Sequence, residues 1–236
     1  LFGGVRKPFS TRFFTWLHVP KTGGTWLHRI LVAYAPPSWD AAKGEPAHVQ
    51  LWELPAALEQ WVQRPERLRL PVLASCRNPW DWYVSLYFFM EGHYRARTGG
   101  FLPAPAQWEA GPRAWASDYS RGPGVEGFRA ALPRIVADMH LESRFGLTRP
   151  QSDYLRLGNG ELGVTPVRYE GLRDNMVAAM EGLGVEVPSG MRAALRKLRP
   201  QNVSAHPPYR DCYTPELRGL VETHERWLIE TMKYSF

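Results

Sequence analysis

A lysine, two glycines and a hydroxyl residue brought into one turn can bind an anion, and His18-Val19-Pro20-Lys21-Thr22-Gly23-Gly24-Thr25-Trp26 contains all of them. Gly23 and Gly24 let the backbone aim its N–H groups at a ligand, and the helix that follows adds the partial positive charge of its N-terminus. Lys21 brings a full charge, and Thr25 can donate its hydroxyl to a phosphate oxygen. In the nucleoside-triphosphatase loop, Gly-x-x-x-x-Gly-Lys-[Ser/Thr], the lysine follows the last glycine and the next residue seats magnesium. Here Lys21 precedes both glycines, so the turn is suited to phosphate without an evident metal seat. A turn that only joined strand to helix would account for the glycines but not for the adjoining Lys, Thr and Trp. A second constellation lies at Cys76-Arg77-Asn78-Pro79-Trp80-Asp81-Trp82-Tyr83-Val84-Ser85-Leu86-Tyr87. Arg77 leaves the carboxyl end of a strand, where open α/β sheets place ligands, and Ser85 lies almost two turns into the next helix. Both can reach one phosphate. Taken alone, they read equally well as an arginine capping a helix and a serine facing solvent.

The elements around these residues repeat one pattern. Phe13 to Val19 is apolar and aromatic without helical period and stops at Pro20, which predicts a buried strand. From Thr25 to Tyr34 the residues Trp26, Leu27, Ile30, Leu31 and Tyr34 fall at helical spacing, and Pro36-Pro37 ends the segment. Glu53 to Gln63 predicts a second helix, Leu70 to Cys76 a second strand, and Asn78-Pro79 an N-cap and first position for a helix reaching about Glu91. Residues 92–123, rich in Gly, Pro, Arg and Trp, are too long for an ordinary connection and are expected to form an acceptor-side lid. A helix over Val125–Asp138, a strand over Val164–Tyr169 and helices over Leu172–Gly182 and Ser189–Leu198 follow. A loop from Arg199 to Tyr213 leads to a C-terminal helix capped by Thr214-Pro215. Alternating strands and helices predict one α/β domain over 1–236, three layers around a central parallel sheet.

The motifs resemble those of a known family. Pro20-Lys21-Thr22-Gly23-Gly24-Thr25 is similar to the 5′-phosphosulfate loop of sulfotransferases that use 3′-phosphoadenosine 5′-phosphosulfate (PAPS), and Arg-Asn-Pro with Ser eight residues after the arginine is similar to their 3′-phosphate motif. The resemblance implies a P-loop NTPase-like sulfotransferase fold, with Lys21, Thr22, Gly23, Gly24, Thr25 and Trp26 around the 5′-phosphosulfate and Arg77 and Ser85 on the 3′-phosphate. Arg168-Tyr169-Glu170-Gly171-Leu172 resembles the segment near the adenine, with Tyr169 as the adenosine contact, although an aromatic ending a strand is as often plain core. Asn202-Val203-Ser204 resembles the late loop that closes over the nucleotide. Sulfuryl transfer needs in-line positioning, stabilisation of the leaving phosphate and removal of the acceptor proton. Lys21 suits the second task. For the third, histidine is the usual base. His48, between the two motifs, is the first choice because its position resembles the base of uronyl 2-O-sulfotransferases; Glu53 is the alternative. His18 and His28 read as structural, and His93, His140, His206 and His224 have weaker claims. The co-substrate implied is PAPS, with PAP (3′-phosphoadenosine 5′-phosphate) as product and no metal.

The 236 residues, 44% of them hydrophobic, suffice for a substantial core, and the net charge of +6 suits a protein that handles anions. Basic residues form no long run, and the tryptophans gather around the expected site, so no nucleic-acid partner is expected. No run of about 18 apolar residues is present to span a membrane. Cys76 and Cys212 are too few for a disulfide framework and favour a reducing compartment; with the Ala, Arg and Pro content, the chain reads as a bacterial cytoplasmic enzyme, with a Golgi-type luminal domain as the alternative. The expected acceptor is a small molecule or sugar with a hydroxyl. Trp80, Trp82, Trp108, Trp115 and Tyr119 are available to stack on it, and Arg95, Arg97, Arg113 and Arg121 to attract an anionic one. Two competing readings remain open: a P-loop nucleotide kinase or phosphotransferase, and a non-catalytic protein that binds PAP.

Overall fold

The computed structural model describes residues 9–42, 70–98, 124–138, 150–157, 159–199 and 203–236. Its centre is a four-stranded sheet in the order β1 (Phe9–Ser10), β2 (Thr15–Leu17), β3 (Val72–Cys76) and β4 (Thr165–Arg168). β2, β3 and β4 are parallel, with Leu17 opposite Ala74 and Cys76 opposite Arg168. The α/β class with a mainly parallel sheet, expected from the alternation of elements, is therefore the class the chain adopts. Edge strand β1 departs from it: it pairs antiparallel, with Phe9 opposite Trp16. Thr11 makes the reversal, its hydroxyl accepting from the N–H groups of Phe13 and Phe14 at 3.0 Å and donating to the Phe14 carbonyl at 3.1 Å. That turn takes Phe13 and Phe14 out of the expected strand and leaves β2 three residues long.

The chain divides into two compact units, one of residues 1–77 and 153–201, the other of residues 78–152 and 202–236. In the first, the sheet packs against α1 (Gly24–Tyr34), α4 (Leu172–Gly182) and α5 (Ser189–Lys197). Trp16, Leu73 and Val167, one from each parallel strand, join Leu27 and Leu31 of α1, Met176 and Met180 of α4, and Met191 of α5 in one core. Period-2 alternation along each strand selects one such residue for this face, and the helical period of α1 supplies the opposing side.

The second unit is mostly helical: α2 (Pro79–Thr98), α3 (Gly124–Asp138), α6 (Tyr209–Cys212), α7 (Pro215–His224) and α8 (Arg226–Met232). Asn78 caps α2 as expected, its side-chain oxygen accepting from the Trp80 N–H at 3.1 Å. The helix continues past Glu91 to Thr98, so 92–98 are helix where a loop was expected; residues 99–123 lie outside the described residues. Trp80 and Trp82, read as platforms for an acceptor, are buried at 2% and 0% exposure. Trp80 donates to the Arg218 carbonyl at 3.1 Å and packs edge-on against Phe236, so both tryptophans belong to the core. The C-terminal helix begins at the Thr214 cap as expected but is two helices. Between them stands Glu225, fully buried, whose carboxylate accepts from the backbone N–H groups of Gln151 at 2.7 Å and Ser152 at 3.2 Å. No helix among the described residues is long and apolar enough to cross a membrane.

Candidate active site

Three parallel strands end side by side, and the residues leaving their carboxyl ends are His18 to Gly24, Arg77 and Tyr169. The sheet thus gathers three of the four predicted segments along the edge where α/β folds bind ligands.

The first turn is fixed by contacts that only glycine allows. Gly23 has φ +78°, a left-handed conformation, and a methyl there would sit 2.5 Å from the Leu172 side chain. Gly24 opens α1, and a methyl on it would overlap the buried His18 ring. Thr22 is fully buried; its hydroxyl donates to the Val19 carbonyl at 2.8 Å and is hydrogen-bonded to the Ser75 hydroxyl in β3. Its side chain therefore pins the turn to the sheet and is not presented to a ligand. Trp26 likewise lies in the core, 3% exposed, with the Arg173 guanidinium over its ring at 5.6 Å. Thr25 stays half-buried with its hydroxyl 3.5 Å from His18 Nε2.

Lys21 and Arg77 come together above this turn. Arg77 is buried, donates from Nη1 to the Lys21 carbonyl at 3.1 Å, and lies over the Tyr169 ring with its guanidinium carbon 4.3 Å from the centroid. Burial first, then the neighbouring Arg77 charge, lowers the Lys21 ammonium to about 7. Two cations held close in partial burial repel each other, and a bound anion would offset that cost. Thr25, the α1 N-terminus, Lys21 and Arg77 together could hold a polyanion.

In the second unit the structure unites two predicted residues far apart in sequence. Ser85, 2% exposed, has its hydroxyl 3.2 Å from that of Ser204, which also lies 3.0 Å from the Ser85 carbonyl as a donor. His206 donates from Nδ1 to the Pro207 carbonyl at 2.8 Å, which places the lone pair of the neutral ring on Nε2. His28, read as packing, is buried with its ring 6.1 Å from that of Phe9. His48, Glu53 and Asn202 lie outside the described residues, as do Trp108, Trp115, Tyr119, Arg113 and Arg121. Sequence reasoning missed Ser75 and Arg173. Ser75 could have been noticed as the one hydroxyl within the apolar strand Val72–Cys76, whereas Arg173 left no signal.

No protein-family model matches the sequence, and no curated protein does. In structure the chain is similar to mouse sulfotransferase SULT7A1, solved in complex with PAP, at a TM-score of 0.49 and 15% sequence identity, covering 94% of this chain and 85% of that one.

Proposed function

We propose that the chain is a PAPS-dependent sulfotransferase that moves a sulfuryl group onto a hydroxyl of a small-molecule or carbohydrate acceptor and releases PAP. One observation carries the reading: Arg77 of the second motif is buried against Tyr169 and bonded to the carbonyl of Lys21 in the first. Two phosphate motifs that merely coincided in sequence would have no reason to meet there. A P-loop kinase would instead place its lysine after the glycines and a hydroxyl beside it for magnesium.

The donor supplies a sulfuryl group on a phosphate leaving group. In this reading the N–H groups at the start of α1 and the Thr25 hydroxyl hold the 5′ end, and Lys21 stabilises the negative charge that develops on the bridging oxygen. The bond from sulfur to that oxygen breaks as the bond from the acceptor oxygen to sulfur forms, and the acceptor proton passes to His48, with Glu53 as the alternative base. Arg77 selects a 3′-phosphate, and Ser85 is assigned to the same group by its spacing from Arg77 alone. Thr22 and Trp26 contribute through the backbone and the packing of the turn. Tyr169 is placed beside the 3′-phosphate through Arg77, and Asn202 and Ser204 are assigned to the nucleotide by resemblance alone.

Incubation with PAPS carrying labelled sulfur, in buffer with EDTA and a panel of sugars and phenols, tests the reading. Label should reach an acceptor with one PAP released per transfer, and Lys21→Ala should slow it by about 10²- to 10³-fold, the usual cost of losing one charge-stabilising donor. Phosphate transfer from ATP that requires magnesium would overturn it in favour of a kinase. Tight PAP binding with no transfer across the panel would favour a non-catalytic binding protein.

A further inference from the structure

We infer that Tyr169 is a positioning residue for Arg77: its ring face holds the guanidinium in place and thereby sets the preference for a nucleotide bearing a 3′-phosphate. The inference rests on the sulfotransferase reading, in which Arg77 meets that phosphate, and it gives Tyr169 a task other than contacting adenosine.

The backbone sets the two residues side by side. The Tyr169 N–H donates to the Cys76 carbonyl at 2.7 Å, extending the pairing of Cys76 with Arg168 by one step, so the residue before Arg77 is tied directly to Tyr169. The first motif also lies close to the ring, since a methyl on Gly23 would sit 3.6 Å from its Cδ2 and Cε2 carbons. The Tyr169 carbonyl accepts from the Leu172 N–H at 3.1 Å, which anchors the turn into α4. The half-buried ring is thus tied at its backbone on both sides, and the Arg77 guanidinium carbon lies over it, 4.3 Å from the centroid. The ring attracts the guanidinium charge, while its N–H groups serve hydrogen bonds, as the one to the Lys21 carbonyl does. Arginine has many rotamers, and a stacked, buried one has given up most of that freedom before an anion arrives. Two functions of Tyr169 can then be separated by ligand. A contact with adenosine would serve every adenine nucleotide, whereas a hold on Arg77 serves only those with a 3′-phosphate.

Dissociation constants for PAP and for adenosine 5′-monophosphate, measured by calorimetry in EDTA, separate the two. Wild type should prefer PAP, and Tyr169→Phe, which keeps a ring face, should stay within about twofold of wild type for both ligands. Tyr169→Leu should weaken PAP by about tenfold, the scale of one partly desolvated cation–π contact, and leave the monophosphate within about twofold. Tyr169→Met, longer, more adaptable and still non-aromatic, takes its place if the leucine variant loses its cooperative melt. In an Arg77→Ala background the same Tyr169 substitution should cost no further PAP affinity, because the residue it acts through is gone. Equal weakening of both ligands, or an undiminished loss in the Arg77→Ala background, would overturn the inference while leaving the sulfotransferase reading intact. A wild-type protein with no preference for PAP would defeat that reading itself.

Discussion

Lys21 holds φ +59°, a left-handed conformation that costs a residue with a Cβ about 1 kcal/mol, and its carbonyl is the one to which Arg77 donates. Its ammonium titrates near 7 without ligand, for burial and then Arg77 both disfavour the charge. A bound phosphate acts in the opposite sense and raises it, so above about pH 7 each PAP bound should draw a proton onto Lys21. Calorimetry at pH 8 in buffers of different ionisation enthalpy should therefore show uptake approaching about one proton, and PAP affinity should fall by up to about tenfold per pH unit above 7. Lys21→Met should abolish the uptake; wild type binding PAP at pH 8 with no proton exchange would contradict this account of Lys21. The same titration affects folding. Between about 7 and the ordinary 10.5 the unfolded chain holds a proton that the folded one lacks, so this group makes the unliganded fold more stable as pH rises through that window.

The turn between β2 and α1 is held by the elements around it, and this is where its stability should be tested. Gly24→Ala forces a methyl into the His18 ring, and Thr22→Val leaves the Val19 carbonyl and the Ser75 hydroxyl without their partner. Each should lower unfolding stability by about 1–3 kcal/mol in urea. Gly219→Ala, in α7 with open space around it, should raise it by up to about 1 kcal/mol. A neutral Gly24→Ala would mean that the turn is not clamped as described. Much of this framework is legible in the sequence. The sequence predicts the bounds of α4 as they stand, α1 within one residue, and β3 and β4 within two residues at each end, because Gly, Pro and Asn punctuation coincides with changes of hydrophobic period. Strand β1 was not legible, since two residues show no alternation. The inward turn of Thr22 was hidden because a hydroxyl beside glycines suits a ligand and a buried strand equally well. Trp80 and Trp82 flank Asp81 at the start of a helix whose polar and apolar residues are not separated onto two faces, so the pattern does not show which way an aromatic points.

At the scale of the whole molecule, the chain passes from its first compact unit to its second between Arg77 and Asn78, in the middle of the Arg-Asn-Pro motif. The phosphate turn, Arg77 and Tyr169 belong to the sheet-bearing unit; Ser85 and Ser204, bonded to each other, belong to the helical one. This division explains what the sequence could and could not supply. Each short motif carries its own local geometry, while the meeting of Arg77 with Tyr169 depends on β3 and β4 being neighbours, which no local pattern encodes. In the proposed function this sheet edge recognises a nucleotide by its 3′-phosphate, and titration of PAP against ADP in EDTA, for wild type and Arg77→Ala, tests that most directly. Wild type should bind PAP about 100-fold or more tighter than ADP, and Arg77→Ala should lose most of that margin, as expected when one partner of a buried charged pair is removed. Equal affinity for PAP and ADP, or binding that appears only with magnesium, would contradict it.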